Sequence, residues 1–119
     1  MKKTFIVANW KSNKTEPEAK NWLEEFKIEN LDIVNKEIII CSSFTSLPVI
    51  KSLISNKTNI KLGAQNISPF DEGAYTGEVS ARQVKEFADY VIIGHSERRT
   101  NFNESDEVLF NKVQLAKKY

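Results

Sequence analysis

The 119-residue chain is long enough for one small domain with a core of its own, and its 40% hydrophobic and 28% charged residues are ordinary for a soluble globular protein. Seventeen basic against sixteen acidic side chains leave a net charge of +1, which offers no electrostatic footprint for nucleic acid or an anionic membrane. Cys41 is the only cysteine, the first apolar run (Phe5 to Ala8) is too short for a signal peptide and no stretch approaches membrane-spanning length, so a reducing cytoplasm is the expected compartment.

Phe5-Ile6-Val7-Ala8 is a short apolar strand that runs into Asn9-Trp10-Lys11. Alternation along a strand puts Phe5, Val7, Asn9 and Lys11 on one face and Trp10 on the other. A loop lysine is ordinarily solvated. If that odd face looks inward, however, the strand ends by presenting an amide and an ammonium side by side. Glu16-Pro17 then opens a helix, with Thr15 or Glu16 as cap. Its residues Ala19, Trp22, Leu23 and Phe26 fall at i, i+3, i+4 and i+7, a stripe that assigns Trp22 to the core. Glu37 to Cys41 is a second, buried strand. Cys41 is read as a small packing residue, since no basic neighbour would activate its thiol. Thr45 or Ser46 caps a second helix with Pro48 in its first turn and Val49, Ile50, Leu53 and Ile54 apolar.

Ile60 to Gln65 is a weaker third strand. Ser68 to Glu78 forms a loop long enough, in so small a domain, to suggest a function, and its Ala-Tyr-Thr tip suits contact with another molecule. Ser80-Ala81-Arg82-Gln83 is a capping box opening a third helix, with Val84, Phe87 and Ala88 apolar. Tyr90 to Ile93 reads as a short strand buried on both faces. It ends in Gly94, which permits a tight turn or close approach, and then in His95, the only histidine of the chain. Ser96-Glu97 has the look of a helix start, so the imidazole sits at a strand's C-terminal end and faces a helix N-terminus. In parallel α/β folds that rim is where ligands bind. Ser105-Asp106-Glu107 begins a last helix, with Leu109, Val113 and Ala116 on one side and Lys117-Lys118 suiting its C-terminal dipole.

Strand and helix therefore alternate four times, which implies a parallel sheet covered by helices. Pattern alone leaves two architectures open, a four-stranded open sheet or half of an eightfold barrel.

Asn9-Trp10-Lys11, Gly63-Ala64-Gln65-Asn66, Gly73-Ala74-Tyr75-Thr76-Gly77-Glu78 and above all Gly94-His95-Ser96-Glu97-Arg98-Arg99 resemble the triosephosphate isomerase family, in the family's order and spacing; Glu104 to Glu107 fits as well. The resemblance covers the whole chain as one domain, residues 1–119, and corresponds to the N-terminal half of the family's (β/α)8 barrel. It implies a half-barrel of four βα units with parallel strands. It further implies interconversion of dihydroxyacetone phosphate and glyceraldehyde 3-phosphate through an enediol, without cofactor or metal, with a place in glycolysis and gluconeogenesis.

Carried over residue by residue, Lys11 would stabilise the charge of the substrate phosphate and the developing enediolate, and Asn9 would orient it and help bind substrate. His95 would polarise the carbonyl and shuttle a proton between the two oxygens. Ser96 and Glu97 would be supporting residues, Ser96 by holding the catalytic glutamate in the open site and Glu97 by a bond to Lys11. Tyr75 and Thr76 would lie at a subunit interface. The family's general base is a glutamate after the sixth strand, and its phosphate loops follow strands seven and eight; this sequence contains none of those segments. Ser12 and Ser42-Ser43 are smaller departures from the family pattern. The resemblance thus implies a complementary C-terminal half-barrel chain as partner, without which the chain is expected to be inactive. The alternatives are a catalytically silent, self-associating half-barrel that binds or scaffolds, and a truncated product.

Overall fold

Backbone runs of alternating apolar residues become four parallel strands: β1 (Thr4–Asn9), β2 (Lys36–Ser42), β3 (Ile60–Ala64) and β4 (Tyr90–Val91), hydrogen-bonded side by side in sequence order. The computed structural model describes residues 2–26, 32–57 and 59–119. Between and after the strands come α1 (Glu16–Glu25), α2 (Leu47–Ile54, entered through a 3-10 turn at Phe44–Ser46), α3 (Ala81–Lys85), α4 (Ser96–Phe102) and α5 (Asp106–Lys118). This is the architecture of half a (β/α)8 barrel: four strands in a curled sheet with helices alternating between them. The curl brings the outer strands toward each other, so that the rings of Phe5 and Tyr90 meet edge to face at 6.3 Å.

Local signals explain the helix starts. Pro17 stands in the first turn of α1, and the Thr15 N–H donates to the Glu18 carboxylate at 2.7 Å. At α3 the Ser80 N–H donates to the Gln83 side chain at 2.9 Å, and the Gln83 N–H returns a bond to Ser80 Oγ, which is the expected capping box. The core lies between sheet and helices, where Ile38, Ile40 and Leu62 meet Ala19, Leu47 and Ile50. Trp22 joins it as expected, stacked on Phe26 at 4.8 Å and edge-on to Trp10 at 5.2 Å. A Cβ on Gly63 would come within 2.5 Å of Cys41 Sγ and 3.2 Å of Ile39 Cγ2, so side chains of β2 already fill the space it would need. Among the described residues, no helix is long and apolar enough to cross a membrane.

Three expectations need correction. The last strand is shorter than Tyr90 to Ile93, and it is not buried on both faces: Tyr90 is exposed, and Val91 to Ile93 are half-buried. The reason is that β4 is an edge of the sheet, with no described strand beyond it. The third strand ends at Ala64, freeing Gln65 for other bonds. On α5 the inward stripe runs through Leu109 and Lys112 rather than Val113, which is exposed. Lys112 can be buried because its ammonium is met by the carboxylate of Glu104 and, at 2.7 Å, by Asn66 Oδ1.

Candidate active site

The C-terminal ends of the strands converge on a cavity of about 430 Å³ whose lining includes Asn9, Lys11, Gln65, His95, Glu97 and Arg98. The register explains the convergence. Asn9 pairs with Cys41, Cys41 with Gly63 and Gly63 with Tyr90, so segments that leave the sheet just beyond these positions meet over the same rim.

β1 delivers the lysine. Just past the strand, Lys11 adopts a left-handed backbone (φ 59°), a conformation that side chains other than glycine seldom take. Two amides hold it there. Asn9 Oδ1 accepts the Lys11 N–H at 3.0 Å. Gln65 Nε2 donates to the Lys11 carbonyl at 2.8 Å and to the Cys41 carbonyl at 2.9 Å, tying the ends of three strands together. The Lys11 ammonium forms an ion pair with the Glu97 carboxylate. The hydrogen bond from Lys11 is the main reason the Glu97 carboxyl is held below its usual range.

β4 delivers the imidazole. Gly94 turns the chain at φ 74°; a Cβ there would stand 3.3 Å from both Arg99 Nη2 and Leu109 Cδ1, and its carbonyl accepts from Arg99 Nε at 3.0 Å. His95 is the N-cap of α4, and its Nδ1 accepts the Glu97 N–H at 3.1 Å. With Nδ1 occupied as an acceptor, the proton of the neutral ring sits on Nε2.

The expected site residues thus separate into two groups. Asn9, Lys11, His95 and Glu97 share the cavity. Ser96, the first residue of α4, is exposed and lies outside the lining. Tyr75 and Thr76 lie elsewhere, on the loop before α3, where Tyr75 stacks face to face on Phe70 at 4.3 Å and the chain turns back through Gly77 at φ 90°.

Sequence reasoning assigned no role to five further residues. Gln65 is the bridge just described. Behind the cavity, the buried Glu104 carboxylate accepts from Arg98 Nε at 3.1 Å and from Lys112, and Lys112 also holds Asn66. Asn66 and Arg98 line the cavity, so the network braces its wall. Burial works against ionisation of Glu104, but hydrogen bonds from Lys112 and Arg98 outweigh it and leave the carboxyl below its ordinary range. The signal for this network was a lysine in the apolar register of α5, three residues after Leu109 and four before Ala116.

Chemically, the cavity offers an ammonium, an imidazole N–H donor and carboxamides. Such a set stabilises negative charge developing on neighbouring oxygens. Glu97 is committed to Lys11, and burial pushes the Cys41 thiol up to about 11, which makes it inert. Among the described residues, no group of three or more His, Cys, Asp or Glu side chains could hold a metal ion.

Comparison with known proteins adds the family context. The family model described as Triosephosphate isomerase matches residues 4–119. The triosephosphate isomerase of Dictyoglomus turgidum is 46% identical over 120 residues, covering 100% of this chain and 48% of the relative. That of Alkaliphilus metalliredigens is 43% identical over 117 residues, 98% of this chain and 46% of the relative. That of Mesomycoplasma hyopneumoniae is 42% identical over 123 residues, 98% of this chain and 50% of the relative. The chain spans about half the length of the curated relatives it matches.

Proposed function

The chain belongs to the triosephosphate isomerase family, and on that premise we propose that it contributes the lysine and histidine portion of an isomerase site. The reaction would be the interconversion of dihydroxyacetone phosphate and glyceraldehyde 3-phosphate through an enediol, as part of glycolysis and gluconeogenesis in a reducing cytoplasm. A complementary half-barrel would supply the glutamate base, the lid and the phosphate loops. The observation that carries this reading is the convergence of Lys11 and His95 on one cavity, with His95 Nδ1 engaged by the Glu97 N–H.

Each residue then has a role. Lys11 offsets the charge of the phosphate and of the enediolate oxygen as it develops. His95 donates from Nε2 to the carbonyl oxygen and passes the proton between the two oxygens. Asn9 fixes the Lys11 backbone and helps hold substrate, while Glu97 fixes the lysine head group. Ser96 would hold the incoming glutamate before the site closes. Tyr75 and Thr76 would reach a neighbouring subunit.

The purified chain lacks a positioned base, whose contribution is about 10²–10⁴-fold, and it lacks the binding energy that drives closure. It should therefore show no isomerase activity above background. Mixed with the remaining half of a relative such as the Dictyoglomus turgidum enzyme, it should gain activity that Lys11→Met or His95→Gln abolishes. Robust turnover by the single chain would overturn the two-part reading, as would a restored activity indifferent to both substitutions.

A further inference from the structure

The loop from Ser68 to Glu78 holds a defined shape with little core to pack on. Every residue from Glu72 to Glu78 is exposed, Tyr75 by 43%, and so is Phe70, on which the Tyr75 ring stacks, by 45%. A hollow of about 220 Å³ lies along the loop, with Asp71, Glu72, Tyr75 and Glu78 in its lining, so burial fixes little of the segment. Its backbone bonds are local. The Ser68 N–H donates to the Val79 carbonyl at 2.9 Å and closes the base, and the Glu78 N–H donates to the Tyr75 carbonyl at 3.0 Å and closes the tip. Neither bond sets where the tip stands relative to the helices. Two adjacent acids do. The Asp71 carboxylate accepts from Lys118 Nζ at 2.6 Å and from the hydroxyl of Tyr119, the C-cap of α5, at 2.8 Å. The Glu72 carboxylate accepts from Arg82 Nη1 of α3 with both oxygens, each at 2.9 Å. The loop is thus fastened in two directions, to two helices that pack on each other.

We infer that Asp71 and Glu72 are positioning residues, whose ties to α5 and α3 hold the Tyr75–Thr76 tip in one shape before anything binds it. An ordinary surface pair such as Asp32–Lys36 joins residues four apart and orders only its own turn. The two ties of the loop join residues 47 and 10 apart, so they fix one segment against another. Hydrogen bonds from Lys118 and then from Tyr119 hold the Asp71 carboxyl below its ordinary range. An exposed pair is worth a factor of about two to five, and two pairs acting on one loop should together favour the ordered tip roughly tenfold. A tip ordered in advance loses less entropy when it docks. The consequence for assembly rests on the reading of Tyr75 and Thr76 as a subunit contact; the ties themselves do not.

Hydrogen exchange of the Glu78 amide reports opening of the tip, because that amide closes it. In the 119-residue chain, alone and completed by the remaining half of the Dictyoglomus turgidum enzyme, Asp71→Asn/Glu72→Gln should speed this exchange roughly tenfold. Lys118→Met/Arg82→Met should speed it by a similar factor, and the quadruple variant should be no faster than either pair. Agreement between the two pairs separates a broken tie from a direct effect of charge on exchange, since one pair removes negative charge and the other positive. The Ile38 amide, bonded to Asn59 in the sheet, should keep its rate, which excludes general loosening. On the subunit-contact reading, the same variants should also weaken association of completed barrels by up to about tenfold, measured by light scattering. An unchanged Glu78 rate in either pair overturns the inference, as does a quadruple variant showing the product of the two effects. Faster exchange in both pairs, with a completed wild-type barrel that stays single, upholds the ties and removes the subunit-contact reading instead.

Discussion

Replacing Lys112 with methionine tests whether the buried network behind the cavity carries as much stability as its geometry implies. The Lys112 side chain is 2% exposed and that of Glu104 7%, so water cannot take over the lost bond. The variant would leave the Glu104 carboxylate with Arg98 as its remaining ion-pair partner among the described residues, and Glu104 Oε1 already has no hydrogen-bond partner there. Removing one member of a buried ion pair costs about 3–5 kcal/mol. Against a total stability of roughly 5–15 kcal/mol, that is a large fraction. The assay is urea unfolding followed by the fluorescence of buried Trp10 and its neighbour Trp22. With an m-value of roughly 2 kcal/mol/M, the midpoint should fall by about 2 M.

The double variant Lys112→Met/Glu104→Leu, which removes both charges, should lose less than the single one. The pH dependence has a definite sign. Glu104 titrates below its ordinary 4.5 in the folded chain, so its contribution is fully present above that pH and is lost as pH falls through the lower folded value. Without Lys112 the larger of the two hydrogen bonds that hold Glu104 down is gone, and most of that contribution goes with it. The stability gap between wild type and variant should therefore narrow below pH 4.5. A loss under about 1 kcal/mol, or a gap constant with pH, would refute the reasoning.

Two further expectations rest on other contacts. Gly63→Ala places a Cβ 2.5 Å from Cys41 Sγ and should cost about 1–3 kcal/mol; adding Cys41→Ala should relieve part of it, and strictly additive losses would show that the clash is absorbed elsewhere. Tyr75→Asp sets a charge on the loop tip that packs on Phe70, and, if the proposed subunit contact forms, should weaken higher-order assembly while helix content by circular dichroism stays unchanged; an unaltered mass would show that the loop has another use.

Features governed by residues close in sequence were the ones open to reading. The Ser80–Gln83 box and the Pro17 helix start depend on four neighbouring residues and appear as expected. The placement of His95 was legible for a similar reason, since an apolar strand, a glycine and a helix start fix where the imidazole lies. The residues that escaped are set by distant partners. Lys112 looks solvent-facing by residue type, and its burial needs Glu104 eight positions earlier and Asn66 from the end of β3. Gln65 could not be given its bridge before the β1–β2–β3 register was known. Similarly, the apolar sequence of Tyr90 to Ile93 states what the strand can bury but not whether a neighbour is present to bury it.

The proposed role of His95 depends on an Nε2–H donor facing the cavity shared with Lys11, and one spectrum addresses it directly. His95 is the only histidine of the chain, so imidazole ¹⁵N spectroscopy of the labelled protein contains a single ring. The neutral ring should carry its proton on Nε2, with Nδ1 showing the shift of a nitrogen that accepts the Glu97 N–H. A neutral ring protonated on Nδ1 would contradict it, because the donor would then point at the α4 backbone and not at the substrate.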